Sequence, residues 1–186
     1  QNLNDAGELA TLMHRLDKFP KPTLALIKGA AFGGALGLVA CCDIAIAEEN
    51  ASFCLSEVRI GLIPAVISPY VMRAIGERES RRYFLTAERF MAPKAKHLGL
   101  LHEVVSEGEL ADSAESFINT LLQNSPAALT AAKSLIHNIY NRKISNNVIA
   151  HTEQAIAEIR VSAEGQEGLT AFLEKRKPAW LGKEDA

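Results

Sequence analysis

A glycine-rich turn between a predicted strand and a predicted helix constrains the fold of this chain more than any other feature. Residues 23–27 form a short apolar run typical of a β-strand, and residues 35–42 are predicted to form a buried helix. Between them, residues 28–34 read KGAAFGG, and paired glycines permit a tight strand-to-helix turn. Because N–H groups at a helix start favour negative charge, the turn predicts an α/β fold with either close packing or an oxyanion site there.

The hydrophobic pattern divides the chain into an αβ front half, residues 1–105, and an all-helical rear, residues 106–186. Front-half helices are predicted at residues 5–18, where Asp5 and Glu8 have capping-box spacing, and at 68–75, 78–85 and 93–98. Further short strands are predicted at residues 44–47, 52–55 and 102–105. Rear helices are predicted at residues 107–123, 126–140, 146–162 and 164–175.

Charge and composition argue against several classes of protein. The 20 lysines and arginines stand against 22 aspartates and glutamates, so a nucleic-acid-binding protein is not expected. The longest uncharged apolar stretch, residues 29–42, is too short and too rich in glycine to span a bilayer, and no signal peptide is predicted. The three cysteines have neither the number nor the spacing of a disulfide framework, so Cys41, Cys42 and Cys54 are expected to be reduced and mostly buried in a cytoplasmic protein.

The glycine turn differs from two nucleotide-binding motifs. A P-loop is excluded because Gly34 is followed by Ala35, where that motif has a lysine. A dinucleotide fingerprint is closer, since Gly34 and Gly37 supply its last two glycines, but Phe32 occupies the position of the first. A dinucleotide-binding module therefore stays an alternative, and a titration with NAD would test it.

Three segments resemble, in order and in spacing, the central signature of the crotonase (enoyl-CoA hydratase/isomerase) superfamily: residues 28–37, 42–47 and 56–64. The resemblance continues through almost the whole chain, in residues 85–90, 95–100 and 171–178. Within the superfamily, residues 30–34 together with 65–71 are similar to the bacterial methylglutaconyl-CoA hydratases of leucine breakdown and to their relatives in acyclic terpenoid catabolism.

The resemblance implies an α/β fold of the crotonase type, a spiral of ββα units with a helical C-terminal trimerisation region. Residues 1–105 would form the crotonase core and residues 106–186 the helical oligomerisation region. Members of the family form trimers or hexamers, so a homotrimer or a dimer of trimers is expected. The implied substrate is an acyl-CoA thioester, and no separate cofactor or metal is implied, because coenzyme A is part of that substrate.

The resemblance also implies roles for four residues. The N–H of Gly34 would polarise the thioester carbonyl in an oxyanion hole, in agreement with the glycine-turn argument. Glu57 matches the family's second catalytic glutamate, which would take a proton from water or return one to C2 of the enolate. Phe172 and Lys175 match positions from which the C-terminal helix of a neighbouring subunit reaches the CoA moiety.

Two departures from the family pattern affect these roles. Gly37 stands where the family has its first catalytic glutamate, so the pair of carboxylates that holds one water is incomplete. The β-rich segment that precedes the matched region in the family, and that supplies the second oxyanion N–H and much of the CoA pocket, is not in this sequence. A single base at Glu57 suits either hydration or isomerisation.

We therefore expect addition of water across the 2,3 double bond of an acyl-CoA thioester, with 3-methylglutaconyl-CoA as a candidate substrate. The alternatives are an enoyl-CoA delta isomerase with a single glutamate and a catalytically silent subunit that binds CoA esters or serves in assembly. Basic residues between positions 73 and 89 are expected to form a solvated helix face rather than a phosphate site: Arg73, Arg78, Arg81, Arg82 and Arg89.

Overall fold

The structure, a computed structural model, describes residues 1–182. Contacts within the chain divide it into two compact units. The first unit comprises Gln1–Phe19 and Thr23–Ser116, and the second comprises Pro20–Pro22 and the chain from Phe117 onward. Within residues 1–182, none of the helices combines the length and the apolar character that crossing a membrane requires.

The first unit alternates short strands with helices, as the sequence pattern predicts. Its helices are α1 (Asn2–Asp17), α2 (Gly34–Cys41), α3 (Ser68–Thr86) and α4 (Ala92–His97). Its strands are β1 (Leu24–Ile27), β2 (Ala30–Phe32), β3 (Ile44–Glu48), β4 (Ser52–Cys54), β5 (Phe90–Met91) and β6 (Glu103–Val105). Helix α5 (Leu110–Leu122) contains the boundary between the two units.

Two three-stranded sheets contain these strands. β3 is the central strand of the first sheet and pairs in parallel with β1 and with β6. In the second sheet, the central strand β4 pairs in parallel with β2 and antiparallel with β5. Gly29 separates β1 from β2 and has a φ of 78°, a left-handed conformation that glycine adopts without strain. The chain therefore passes from the first sheet to the second at the beginning of the glycine turn.

Aromatic and aliphatic side chains fill the core of the first unit. Phe53 of β4 stacks on Phe90 of β5 with ring centroids 5.6 Å apart, and the Tyr83 ring of α3 lies 4.4 Å from that of Phe90. Leu36 of α2 and Ile46 of β3 are fully buried in the same unit. Because burying a large apolar side chain contributes about 1.5–3 kcal/mol, these residues hold the sheets and helices of the unit together.

An ion pair joins α1 to α3. The carboxylate of Asp17 is buried at the end of α1 and pairs with the guanidinium group of Arg73 on α3. That guanidinium group also lies over the Tyr70 ring, 5.6 Å from its centroid. Arg73 lies on the exposed helix face that the sequence predicts, and its charge also gives the buried Asp17 carboxylate the partner that it needs. Arg82 pairs with Glu88 at the exposed surface.

The predicted and observed elements differ mainly at short or glycine-containing segments. Helix α3 is broken at Gly76, which has a φ of 78°, so its two parts correspond to the two helices predicted there. Helix α1 begins at Asn2 rather than at the predicted capping box. Helix α5 begins at Leu110 rather than at residue 107, because Gly108 has a φ of 90°. The sequence analysis missed β2 and β5, which are too short to show a period.

Three capped helices form much of the second unit: α6 (Pro126–Ile139), α7 (Asn146–Val161) and α8 (Ala163–Glu174). Their N-caps are Ser125, Ser145 and Ser162, and each hydroxyl accepts a backbone N–H of its own helix. The Ser125 hydroxyl also donates to Oε2 of Glu164 at 2.6 Å, which ties the start of α6 to the start of α8. These helices lie close to their predicted bounds, because serine caps and helical periodicity are strong local signals.

Candidate active site

The turn between β2 and α2 has a backbone conformation that favours glycine. Gly33, the N-cap of α2, has a φ of 51° and a ψ of −121°. Its N–H donates to the carbonyl of Cys54 on β4 at 3.0 Å. Its own carbonyl accepts the N–H groups of Leu36 at 3.0 Å and of Gly37 at 3.3 Å. These bonds attach the turn to the second sheet on one side and to the first turn of α2 on the other.

The first N–H groups of α2 are available to a ligand. The N–H groups of Gly34 and Ala35 precede the first residue that has an intrahelical acceptor, so no carbonyl of the helix itself satisfies them. Both residues are exposed, and a Cβ atom on Gly34 would meet no heavy atom within 4 Å. Since a helix N-terminus also has partial positive charge, this end of α2 can donate hydrogen bonds to an oxyanion.

Glu57 begins a 3-10 helix, Glu57–Ile60, shortly after the end of β4. Gly61 ends this short helix with a φ of 77°, and the N–H of Leu62 donates to the Glu57 carbonyl at 3.0 Å. Arg59, in the same helix, donates from its guanidinium group to the carbonyl of Ala87 at 2.6 Å. These contacts fix the backbone on which the Glu57 carboxylate is placed.

The carboxylate of Glu57 lies directly against the glycine turn. A Cβ atom on Gly33 would stand 3.1 Å from Oε1 and 3.7 Å from Cδ of Glu57. The Glu57 side chain is half-buried, and its Oε2 atom is buried with no hydrogen-bond partner among residues 1–182. A buried oxygen without a partner costs free energy unless a water or ligand supplies the hydrogen bond. The structure thus brings a carboxylate with an unpartnered oxygen against Gly33, the residue that precedes the exposed Gly34.

Gly37 is buried one turn into α2, and side chains from two other helices cover its Cα atom. A Cβ atom there would lie 2.7 Å from Cβ of Ile67, still closer to Cγ2 of Ile67, and 3.2 Å from Cε of Met13. Ile67 is the N-cap of α3, and Met13 belongs to α1. A glutamate at position 37 would collide with Ile67, so α2 has no space for a second carboxylate here.

Phe172 and Lys175 lie on and directly after α8, in the second unit. The Phe172 side chain is 81% exposed, and Lys175 follows the helix with a left-handed φ of 54°. The adjacent Arg176 donates to both carboxylate oxygens of Glu167, at 2.6 and 3.0 Å. These hydrogen bonds, together with a backbone N–H, lower the pKa of Glu167 to about 2. The ion pair between Arg176 and Glu167 therefore fixes the C-terminal end of α8. Phe172 and Lys175 are exposed at this end of the helix.

The thiols of the first unit have structural surroundings. Burial raises the pKa of the Cys41 thiol to about 12, so this group stays protonated at neutral pH. Its Sγ atom donates to Sδ of Met13 at 3.7 Å, and the buried Cys54 donates to the carbonyl of Ala87 at 3.2 Å. No disulfide forms within residues 1–182, and in that part of the chain no three His, Cys, Asp or Glu side chains come together as a metal site requires.

Sequence reasoning singled out Gly34 and Glu57 as candidates, and the structure has the Glu57 carboxylate against Gly33, the residue that precedes Gly34. Sequence reasoning did not identify Gly33 as the glycine against which the Glu57 carboxylate packs, although the paired glycines were a signal for a turn. It also missed Ile67 and Met13, which cover Gly37. No local signal could have found these contacts, because each joins residues far apart in the chain.

The chain is similar in sequence and in fold to proteins of known structure. A family model described as enoyl-CoA hydratase/isomerase matches residues 4–183. The chain is similar to the crystal structure of an enoyl-CoA hydratase from Shewanella pealeana, with 59% identity and a TM-score of 0.94 over 97% of this chain and 67% of that one. It is also similar to Pseudomonas aeruginosa AtuE, with 35% identity and a TM-score of 0.88 over 93% of this chain and 67% of that one.

Among curated relatives, the short-chain-enoyl-CoA hydratase of Clostridium acetobutylicum is 30% identical over 89% of this chain. The match covers 64% of the Clostridium protein, so this chain spans about two thirds of the length of the proteins to which it is similar. Identity of this extent over nearly all of the chain concerns both units rather than the glycine turn alone.

Proposed function

Since this chain belongs to the enoyl-CoA hydratase/isomerase family, we propose that it adds water across the 2,3 double bond of an acyl-CoA thioester. The observation that supports this most strongly is the contact between the Glu57 carboxylate and Gly33, the residue that precedes Gly34 at the start of α2. A hydration of this kind needs one group that moves protons and one that holds negative charge on the thioester oxygen. Glu57 and the start of α2 are proposed for these two tasks.

In the proposed reaction, the Glu57 carboxylate removes a proton from a water molecule while the water oxygen bonds to C3. The π electrons of the double bond move towards the thioester, and the negative charge that develops on its oxygen is stabilised by the N–H of Gly34. Glu57 then delivers the proton to C2, so the carboxylate returns to its starting state. The unpartnered Oε2 atom supports this role, because the reacting water would supply its missing hydrogen bond.

The closed position at Gly37 favours a second candidate reaction with the same base. With one carboxylate, Glu57 could remove a proton from C2 of a 3-enoyl-CoA and return it to C4, which moves the double bond without adding water. This isomerase reaction uses the same N–H of Gly34 for the dienolate oxygen. The two reactions therefore differ in whether oxygen from water enters the product.

For the acyl group we propose 3-methylglutaconyl-CoA, on the basis of the similarity of residues 30–34 and 65–71 to bacterial methylglutaconyl-CoA hydratases. For the CoA moiety we propose that Phe172 and Lys175 act from a neighbouring subunit of a homotrimer or hexamer. The exposure of both residues supports a role in which another subunit meets them. Three cysteines without a disulfide support a reducing compartment such as the cytoplasm.

The proposal is tested by turnover of the full-length protein in H₂¹⁸O with crotonyl-CoA and 3-methylglutaconyl-CoA, followed by mass spectrometry. We expect ¹⁸O in the 3-hydroxyl group and a loss of kcat of about 10³-fold in Glu57→Gln, within the range of general acid–base catalysis. Glu49→Gln is the matched control, because Glu49 is an exposed carboxylate in the same unit. It should leave turnover unchanged.

A parallel assay with 3-butenoyl-CoA separates the two reactions. Conversion to crotonyl-CoA without ¹⁸O, and with no hydration of either 2-enoyl thioester, would replace the hydratase by the isomerase. Saturable binding of CoA esters with no turnover would contradict both reactions and leave a silent binding subunit. Faster turnover of crotonyl-CoA than of 3-methylglutaconyl-CoA would contradict the proposed acyl group but not the reaction.

A further inference from the structure

Helix α2 is seated on two side chains that no step of the proposed reaction uses. Ile67 and Met13 approach the Cα atom of Gly37 so closely that a Cβ atom would be 2.7 Å from Cβ of Ile67 and 3.2 Å from Cε of Met13. Real Cβ atoms essentially never come within 3.0 Å of another heavy atom. The contact with Ile67 is therefore possible only because residue 37 has no side chain.

The contact of Ile67 and Met13 with Gly37 lies one helical turn from the proposed oxyanion donor, the N–H of Gly34. Gly37 donates its N–H to the carbonyl of Gly33 at 3.3 Å, so these two residues and Gly34 belong to one hydrogen-bonded turn. Helix α2 has only eight residues, a length of about 12 Å, and Gly34 and Gly37 lie three residues apart in its first turn. We therefore expect a displacement at Gly37 to change the position of the Gly34 N–H.

The side chains of Ile67 and Met13 are themselves held in place by other contacts. Ile67 is 2% exposed and is the N-cap of α3, and the Arg73–Asp17 ion pair joins α3 to α1. On α1, the Met13 sulfur accepts the Cys41 thiol, which connects α1 to the far end of α2. The three helices thus define a fixed position for the Ile67 side chain against α2.

We propose that Ile67 is a positioning residue for the oxyanion hole. Its Cγ2 methyl group, packed on the bare Cα atom of Gly37, sets the position of the first turn of α2 and thereby directs the N–H of Gly34 at the thioester carbonyl. The Ile67 side chain fills the space that a side chain at residue 37 would occupy, so the sizes of the two residues depend on each other. This inference rests on the proposed function, because it assigns the polarised carbonyl to the N–H of Gly34.

The first test, in the full-length protein, enlarges residue 37 and then reduces residue 67 to compensate. Gly37→Ala should push α2 away from Ile67 and lower kcat for hydration of crotonyl-CoA by about 10²-fold, as expected for a misplaced oxyanion donor. KM should change by no more than about two-fold, because the lost interaction acts mainly in the transition state. Adding Ile67→Gly to Gly37→Ala removes both clashing atoms and should restore kcat by about ten-fold or more.

A second test avoids the clash and stands even where Gly37→Ala does not fold. Ile67→Val keeps the Cγ2 methyl group on Gly37 and should retain activity, whereas Ile67→Ala removes it and should lower kcat by about ten-fold. Ile75→Ala is the control for general loss of packing, because Ile75 is a buried isoleucine of the same helix outside the contacts of Gly37. Its kcat should stay close to that of the unchanged protein.

The infrared stretch of the ¹³C-labelled thioester carbonyl of bound butyryl-CoA reports the hydrogen bond directly. It should move towards the frequency of free butyryl-CoA in Gly37→Ala and in Ile67→Ala, and return in the double variant. Equal loss of kcat in Ile67→Ala and Ile75→Ala, or no carbonyl shift in any variant, would overturn the positioning role. Because butyryl-CoA cannot be hydrated, failure of the proposed reaction shows up separately, as absent turnover with a normal carbonyl shift.

Discussion

The two units of this protein bury their apolar residues very differently. In the first unit, large side chains such as Phe53, Tyr83 and Leu36 are almost completely buried. In the second unit, no residue of α6 or α7 is buried, and α8 buries only Ala171. Large apolar side chains of that unit are instead exposed: Ile136, Ile149, Ile156, Val161, Leu169, Phe172 and Leu173.

Most large apolar side chains of the first unit are therefore covered within that unit, whereas many of those in the second unit are left exposed. The first unit closes a core of its own around its two sheets, although Ile60, Leu62 and Ile63 remain exposed beside the candidate site. The helices of the second unit begin at serine caps and contact one another, and their exposed apolar faces are of the kind that another surface covers in assemblies. The proposed homotrimer or hexamer would supply such a surface.

The largest effect is expected from truncation in the core of the first unit. Phe53→Ala removes a fully buried ring that stacks on Phe90 and should lower the free energy of unfolding by about 3–5 kcal/mol. Urea unfolding followed by circular dichroism measures this change. A loss below about 1 kcal/mol would mean that the first unit does not depend on its own core.

A smaller effect is expected from the ion pair between Asp17 and Arg73 in the same unit. Asp17→Asn leaves Arg73 without its carboxylate and should cost about 2 kcal/mol, less than a fully buried pair because Arg73 is 37% exposed. The variant should be compared with Asp5→Asn, which changes an exposed carboxylate of the same helix. Equal stability of the two variants in urea would contradict a structural role for the ion pair.

A still smaller effect is expected at an exposed apolar face of the second unit. Ile156 is 56% exposed, so Ile156→Ala should cost about 1 kcal/mol or less in dilute protein. At higher concentration the cost should rise, and sedimentation should show weaker association, if assembly covers α7. Concentration-independent unfolding and an unchanged mass would show that no second copy covers this face.

The smallest effect is expected from the surface ion pair at the end of α8, and it depends on pH. Because Arg176 holds the pKa of Glu167 at about 2, below the ordinary glutamate pKa of 4.5, this pair adds stability above pH 4.5 that is lost as the pH falls towards 2. The melting temperatures of the protein and of Arg176→Gln should therefore differ at pH 6 and converge near pH 2. Lys143→Gln is the control, because it removes an exposed positive charge elsewhere in the second unit. A difference in melting temperature between the protein and Arg176→Gln that persists at pH 2 would contradict the role of the Glu167–Arg176 pair.

The sequence predicted more of the second unit than of the first. Serines at the starts of α6, α7 and α8 and regular helical spacing are local signals, so the helices were found close to their bounds. The strands β2 and β5 and the 3-10 helix at Glu57 were missed, because their formation depends on pairing and packing rather than on periodicity.

In the candidate site, too, local sequence features could be predicted and tertiary contacts could not. Gly34 and Glu57 could be proposed from the sequence because their neighbours match a family signature. The reason why Gly37 has no side chain could not be predicted, since the atoms that exclude one belong to Ile67, the N-cap of α3, far along the chain from Gly37. Contacts that depend on tertiary packing leave no pattern within a short window of sequence.

Gly34 and Glu57 are proposed to act on the same thioester, with no second carboxylate. A crystal structure of the full-length protein with bound butyryl-CoA would show whether they do. We predict the thioester oxygen at about 3 Å from the Gly34 nitrogen, the Glu57 carboxylate beside C2 and C3, and Gly37 still covered by Ile67. A thioester oxygen bound away from Gly34, or another carboxylate beside C2 and C3, would contradict the account.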